Sequence, residues 1–247
     1  AAVSALLLDA HFVCLMLALQ LAVASSSRAL SSVTFAEQCY LARGRSATSF
    51  SSTFDQDLQR FETTEGFIAY STVPLLDTAV AWFDPILASN EPDAARHLLN
   101  DFLRTHPRAV FMHCGPAFAT VLADAGLLIN PYGVENRVPL PLSLSGSQMR
   151  GLRREVQAAE GSGVRTVIVA DCDRDAPIWG ELSLVDKRWL SGRVLQREVR
   201  RATRRAVLGP ERHTTKLVAR TPEGEAVGWA CFDHIYEAGQ VVGVGLA

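Results

Sequence analysis

The chain has 247 residues, of which 48% are hydrophobic and 20% are charged, and its net charge is −2. This is the composition of a globular protein that can bury a core, in one large domain or two smaller ones. The charge is uneven, with a net −5 in residues 1–140, +7 in residues 141–220 and −4 in residues 221–247. The basic middle indicates either an anionic partner or a solvated basic surface.

The five cysteines lie far apart and form no Cys-x-x-Cys pair. This spacing argues against a structural zinc site or a disulfide framework, and it fits a reducing compartment. The Asp171-x-Asp173-x-Asp175 stretch has the acidic spacing of a calcium loop, but it lacks the following glycine and the glutamate at position twelve. We therefore predict no metal site.

Residues 1–24 are strongly apolar, but Asp9, His11 and Gln20 interrupt them. The uninterrupted part, Phe12–Leu19, is too short to span a bilayer by itself. Three interpretations stay open: the end of a transmembrane helix, a targeting segment, or a buried or interfacial helix. We expect residues 1–33 to comprise a membrane or targeting segment and a Ser-rich linker. We also expect the chain to be a fragment, because it lacks an initiator Met and both ends look cut.

Residues 34–144 predict a mixed α/β sheet with the order β-β-α-β-α-β. Gly66 is expected near the turn of a hairpin, and Asp84-Pro85 is expected to end a strand. The predicted elements are a helix Thr34–Leu41, a loop or edge strand Ser46–Phe54, a hairpin Phe61–Tyr70, a strand Thr78–Phe83, a helix Glu91–Thr105, a strand Ala109–His113, a helix Ala117–Ala125 and a strand Val138–Leu144.

A basic helix is predicted from Ser147 to Gly161, followed by a buried strand Val164–Val169. Its apolar residues recur at helical spacing, and its arginines point away from that apolar face: Arg150, Arg153 and Arg154. Next come two predicted helices and three antiparallel strands joined at glycine turns. The two helices are Glu181–Leu190 and Arg193–Val207, and the second carries a stripe of arginines at positions 193, 197, 200 and 204. The three strands are Lys216–Arg220, Glu225–Phe232 and Gln240–Leu246.

Several short motifs follow one another in a recognisable order from about residue 40 to the end. They include Gly66–Tyr70, Gly133–Leu140, Leu144–Gly146 and Gly228–Asp233. In these motifs the chain resembles the C-terminal domain of bacterial phosphatidylglycerol lysyltransferases. The resemblance implies an α/β (α+β) fold of two tandem GNAT-like mixed-sheet domains, at residues 34–144 and 145–247, with the second truncated at its C-terminus.

The resemblance also implies a function. Similar proteins move an aminoacyl group from aminoacyl-tRNA to a lipid headgroup or another amine or hydroxyl acceptor, by direct attack and without a covalent enzyme intermediate. No cofactor is then expected, and the protein would work in the cytoplasm or at the cytoplasmic face of a membrane. Two alternatives stay open, an acyl-CoA-dependent N-acetyltransferase and a non-catalytic GNAT-like module that binds an anionic partner. The oligomeric state is not predicted.

The candidate site residues follow from these considerations. Acyl transfer needs a base or water chain and donors for the developing oxyanion. The catalytic candidates are Asp84, Glu135, Asp233 and Tyr236, and the substrate-binding candidates are Arg137, Arg150, Arg153 and Arg154.

Each candidate also has a purely structural alternative. Asp84 can simply end a strand, Glu135 and Arg137 can form a buried ion pair, and the helix arginines can form a solvated face. Asp233, with His234 and Tyr236, is expected in a polar cluster at a turn. His113 and Cys114 form either a base and thiol or a buried core pair.

Overall fold

The computed structural model of the chain describes residues 34–131, 133–169, 176–192, 204 and 206–246. In these residues two four-stranded sheets combine with six α-helices in a mixed α+β architecture. None of the described helices is long and apolar enough to cross a bilayer. The apolar segment predicted at residues 1–33 and the Asp171–Asp175 stretch lie outside the described residues.

The first sheet has the strand order β1-β2-β3-β4, in which the first three strands are antiparallel and β4 runs parallel to β3. Its strands are β1 Gln59–Thr63, β2 Gly66–Val73, β3 Thr78–Leu87 and β4 Ala109–Met112. The accompanying helices are α1 Phe35–Arg43, α2 Ser49–Phe54, α3 Ala94–Thr105 and α4 Pro116–Asp124, with a 3₁₀ turn at Pro74–Leu76.

The predicted hairpin at Gly66 is confirmed. Gly66 has φ +139°, a backbone conformation that side chains rarely adopt, and a Cβ there would lie 2.2 Å from the carbonyl oxygen of Ile86. Glycine is therefore required both by the turn and by the close approach of β3.

Strand β3 continues through Asp84-Pro85, so the predicted strand end at this dipeptide is wrong. Beyond Phe83, β3 pairs with β2 alone, because its parallel pairing with β4 ends at Trp82 opposite Met112. Proline is tolerated on a strand whose N–H side is unpaired, which is the situation of Pro85.

The second sheet is antiparallel throughout, with the order β5-β6-β7-β8. Its strands are β5 Arg165–Ile168, β6 Thr214–Arg220, β7 Ala226–Glu237 and β8 Gln240–Leu246, and its helices are α5 Arg150–Gly161 and α6 Ile178–Ser191. The three predicted C-terminal strands are confirmed. The predicted strand before them is present as β5, but it is a partly exposed edge strand rather than a buried one.

Three other predicted elements differ from the structure. Ser49–Phe54 is a helix rather than a loop or strand, and in it the Thr53 hydroxyl donates back to the Ser49 carbonyl. Residues 138–144 form no strand and are largely exposed, since Pro139 and Pro141 supply no ladder N–H groups. Residues 193–203 of the predicted second helix lie outside the described residues, and 206–207 are not helical.

Helix α1 lies between the two sheets and connects them. Its Ala36 and Cys39 pack with Phe67 and Ile86 of the first sheet. Its last carbonyls, at residues 41, 42 and 44, accept backbone N–H groups from the β7–β8 hairpin at residues 239, 238 and 236, over 2.9–3.0 Å. Helix ends normally leave such carbonyls without partners, so the hairpin completes the helix and fixes its position on the second sheet.

Candidate functional site

The predicted site residues lie on helix α5, which carries Arg150, Arg153 and Arg154, and at two polar locations. One, which we call the strand-end site, surrounds Asp84 where β3 and β4 separate, and its neighbours are Cys114, Gly115 and Glu135. The other, the β7 network, comprises the polar side chains around Asp233 and Tyr236 on strand β7. Both of these residues lie inside the strand, not at the predicted turn, because β7 extends to Glu237.

At the strand-end site, two parallel strands diverge through left-handed backbone conformations. Phe83 (φ 68°) and His113 (φ 60°) each follow the last paired residues of β3 and β4. Beyond them Asp84 Oδ1 accepts the backbone N–H of Gly115 at 2.8 Å, directly before helix α4. A carboxylate in this position is stabilised by the free N–H groups and the dipole of the helix.

In the strand-end site the Asp84 carboxyl group keeps its proton to a higher pH than an exposed aspartate does. Burial raises the pKa of Asp84, the Gly115 N–H opposes this, and the charge of Glu135 raises it further. Burial and the charge of Asp84 together raise the pKa of the Cys114 thiol to about 12. Cys114 is therefore a protonated, partly buried thiol at neutral pH, and the alternative of a base and thiol is not favoured.

Glu135 and Arg137 form an ion pair on the surface, not a buried one. The guanidinium donates from Nε and Nη2 to Glu135 Oε2 at 3.0 and 2.9 Å, while the Arg137 side chain is 79% exposed. Such exposed pairs contribute little to stability. The second carboxylate oxygen and the remaining guanidinium N–H groups can meet a ligand.

The three arginines of helix α5 have different environments. Arg153 donates from Nη1 to the carbonyls of Leu144 and Gly146, so it braces the segment before the helix. Arg150 and Arg154 are exposed and form no ion pair with any residue that the structure describes. The latter two are therefore better placed than Arg153 to bind an anionic ligand.

Asp233 belongs to a buried ion pair with Arg204. Arg204 Nε lies 3.0 and 2.8 Å from the two carboxylate oxygens, and its Nη1 lies 2.9 Å from Glu211. Its guanidinium also covers the Phe50 ring at 4.1 Å. Burial would lower the pKa of Arg204, but the hydrogen bonds and charge of Asp233 offset this and raise it. Arg204, the last residue of the predicted arginine stripe, is therefore buried and does not belong to a solvated basic face, because its side chain is 4% exposed.

Tyr236 lies in a hydrogen-bonded chain that the sequence did not reveal. Its hydroxyl is 3.1 Å from His213 Nδ1, and His213 Nε2 is 2.8 Å from Glu37 Oε1 on helix α1. Glu37 and His213 are 176 residues apart in the chain, and neither belongs to a local motif. Neither hydrophobic periodicity nor motif spacing links these two residues to Tyr236.

The family model described as phosphatidylglycerol lysyltransferase, C-terminal, matches residues 40–244. The chain belongs to this family. The match includes both locations described above, apart from Glu37, and it confirms the resemblance found in the sequence. A comparison with curated proteins gave no match. In the described part of the chain, no group of three or more His, Cys, Asp or Glu side chains is placed to hold a metal ion.

Solved structures of lysyltransferase-family proteins share this fold. The structure of L-PGS from Bacillus licheniformis is 18% identical with a TM-score of 0.69 over 86% of this chain. The C-terminal domain of a putative lysylphosphatidylglycerol synthetase from Agrobacterium fabrum is 19% identical with a TM-score of 0.57 over 82% of this chain. This chain spans 65% of each of those two chains. The two-sheet architecture is consistent with a GNAT-like fold.

Proposed function

We propose that the protein transfers an aminoacyl group from aminoacyl-tRNA to a lipid headgroup, by direct attack and without a covalent enzyme intermediate. The observation that carries this proposal is the family match over residues 40–244. In the reaction, an acceptor hydroxyl or amine attacks the ester carbonyl of the donor, and the ribose oxygen of the tRNA leaves. We propose that the lipid acceptor brings the protein to the cytoplasmic face of a membrane.

The arrangement of elements supports two GNAT-like units, at residues 34–144 and 145–247. Each sheet contains an antiparallel meander of three strands that follows helical segments, β1–β3 in the first and β6–β8 in the second. In the first unit a helix and a parallel strand follow the meander, and the pair β3–β4 then separates. GNAT-like folds place acyl groups beside such separated strands, so we propose that the strand-end site contributes to binding the aminoacyl donor.

The chemistry of the cysteines favours direct attack. Burial is the largest effect on both Cys114 and Cys231, and the pKa of each thiol is raised to about 12. A thiol with that pKa contributes almost no thiolate nucleophile at neutral pH. Cys114 and Cys231 therefore do not provide the group that a covalent aminoacyl-enzyme would need.

The charges at the strand-end site suit an aminoacyl donor. The charge of Glu135 raises the pKa of Asp84, and a cation bound beside the two carboxyl groups offsets this repulsion. An aminoacyl group carries such a cation, its α-ammonium group. Arg137, Arg150 and Arg154 are exposed and can contact phosphates of the tRNA or of the lipid. Tyr236 then remains as the candidate for proton transfer.

The deciding experiment is an extraction assay. Protein is incubated with lysyl-tRNA carrying a radiolabelled lysine, or with radiolabelled acetyl-CoA, in the presence of phosphatidylglycerol vesicles. We expect label from lysyl-tRNA, and not from acetyl-CoA, to enter the organic phase. Label from acetyl-CoA alone would support an acyl-CoA-dependent acetyltransferase, and transfer from neither donor would refute the proposed reaction.

The roles of the charged residues can be separated in the same assay. Arg150→Glu combined with Arg154→Glu should raise the KM for lysyl-tRNA or for the lipid and leave kcat nearly unchanged, because these residues are assigned to binding. Arg104→Glu is a matched control, since Arg104 is exposed on α3 and pairs only with its neighbour Asp101 in the described chain. Equal effects of the double variant and the control would contradict the assignment.

A further inference from the structure

Five polar side chains form a continuous hydrogen-bonded chain from helix α1 to strands β6 and β7. The four successive contacts are 2.8, 3.1, 3.4 and 2.9 Å long. In order, the members are Glu37, His213, Tyr236, His234 and Thr215. These hydrogen-bonded side chains lie between α1 and the second sheet, where the Tyr40 ring also contacts the rings of His213 and Tyr236.

The direction of every hydrogen bond follows from the carboxylate at one end. Glu37 Oε1 lies 2.7 Å from the Arg212 guanidinium and 2.8 Å from His213 Nε2, and an ionised carboxylate can only accept. His213 therefore carries its proton on Nε2. Burial lowers the pKa of His213, the hydrogen bond and charge of Glu37 oppose this, and Arg212 adds to the lowering. A neutral His213 leaves Nδ1 free of a proton, so Nδ1 accepts the Tyr236 hydroxyl.

The remaining contacts continue in the same direction. Since Tyr236 donates its own proton to His213, its oxygen accepts from His234 Nδ1–H, and His234 Nε2 accepts from the Thr215 hydroxyl. Burial and the neighbouring His213 lower the pKa of His234 to about 4, so this imidazole is also neutral near pH 7. All donors thus point towards Glu37.

We propose that Glu37, His213 and Tyr236 act as a proton relay in the aminoacyl transfer, with Tyr236 facing the acceptor. This inference rests on the proposed function and deepens it. The order carboxylate, imidazole, hydroxyl is the one in which an imidazole serves as general base for a hydroxyl group. Exposure follows the same order, because the Glu37 and His213 side chains are 5% and 10% exposed while Tyr236 is half-buried.

The step balances without a further reactant. The acceptor loses its proton to Tyr236 Oη while the phenolic proton moves to His213 Nδ1, and the acceptor atom bonds to the ester carbonyl carbon. The imidazolium formed at His213 is stabilised by Glu37. When the ester C–O bond breaks, the leaving ribose oxygen takes up the proton from Tyr236, and His213 returns the phenolic proton. Burial raises the pKa of Tyr236, so the phenol stays protonated between turnovers.

The tautomers provide a test that does not depend on activity. In ¹⁵N-labelled wild-type protein at pH 7.5, the ring-nitrogen shifts should show His213 protonated at Nε2 and His234 protonated at Nδ1. The His213→Gln and His234→Gln variants assign the signals. Protonation of His213 at Nδ1, or a charged His213 ring at this pH, would overturn the relay.

The kinetic test uses the pH profile of kcat/KM. Tyr236→Phe should lower the rate by about 10²- to 10⁴-fold, the range expected when a positioned proton-transfer group is lost. Glu37→Gln should move the acidic limb of the profile to lower pH, because the charge of Glu37 favours the protonated form of His213. The groups that face His213 are Glu37 and Tyr40 on α1, the adjacent Arg212, and His234 and Tyr236 on β7. His97→Gln, on the exposed face of α3, is the control.

The outcomes separate this proposal from the proposed function. Circular dichroism of each variant first shows that it is folded. A folded Tyr236→Phe variant with the wild-type rate, or a Glu37→Gln variant with an unshifted acidic limb, overturns the relay and leaves the transferase proposal intact. Absence of transfer by wild-type protein from any donor refutes the transferase proposal and, with it, the relay's catalytic role, whatever the tautomers show.

Discussion

Replacing Asp233 with asparagine removes one charge from the buried pair with Arg204. Both side chains are 4% exposed, and both carboxylate oxygens accept from the guanidinium. Removing one partner of a buried pair costs about 3–5 kcal/mol, because the other charge stays buried without compensation. Glu211, 2.9 Å from Arg204 Nη1, retains part of that compensation. We therefore expect Asp233→Asn to lower the free energy of unfolding by about 3 kcal/mol, near the lower limit of this range.

Urea unfolding followed by circular dichroism measures this loss. With a urea dependence of about 3 kcal/mol per molar, the midpoint should fall by about 1 M. The control is Asp124→Asn, since Asp124 pairs with Arg96 at 3.6 Å on the surface, where the two side chains are more than half exposed. The control should change stability by less than about 1 kcal/mol. A loss of this smaller size for Asp233→Asn would refute the view that the substitution leaves the Arg204 charge buried without compensation.

Three further predictions concern single residues. Gly66→Ala should destabilise the protein by about 1–3 kcal/mol, because the φ of +139° is strained for alanine and its Cβ would overlap the Ile86 carbonyl. Thermal unfolding measures this loss, and an unchanged melting temperature would contradict the prediction. Burial lowers the pKa of His234 in the folded protein to about 4, against the ordinary value of 6.5. Its contribution to stability is therefore complete above pH 6.5 and is lost as the pH falls towards 4. In the His234→Gln variant the urea midpoint should therefore change less with pH over this range. Asp84→Asn should raise the KM for lysyl-tRNA about tenfold with little change in kcat, on the scale of one charged hydrogen bond, and a change in kcat alone would argue for a catalytic role instead.

The elements that short patterns specify were predicted well from the sequence. The hairpin at Gly66, the helices at 94–105, 116–124 and 178–191, and strands β6 and β8 agree with the predicted segments within three residues, whereas β7 ends five residues beyond its predicted end. Each depends mainly on turn residues and on the spacing of hydrophobic residues within the element itself. The order of several weak motifs was also sufficient to identify the family.

The errors occurred where a residue's role depends on an element far along the chain. Asp84-Pro85 ends no strand, because β4 stops at Met112 and the edge of β3 at Pro85 therefore needs no N–H donor. Ser49–Phe54 is helical because it packs between the sheets, although serine, threonine and phenylalanine have low helix propensity. Local propensity was overridden in both cases by tertiary contacts.

The candidate site shows the same division most clearly. Residue type, together with position in or beside the matching motifs, marked Asp84, Glu135, Asp233 and Tyr236 as polar side chains able to take part in acyl transfer. Only the tertiary structure shows that Asp233 is occupied by Arg204, 29 positions away, and that Tyr236 is linked through His213 to Glu37. The physical reason is that a side chain's charge and hydrogen bonds depend on burial and on partners brought close by folding, neither of which leaves a regular spacing in the sequence.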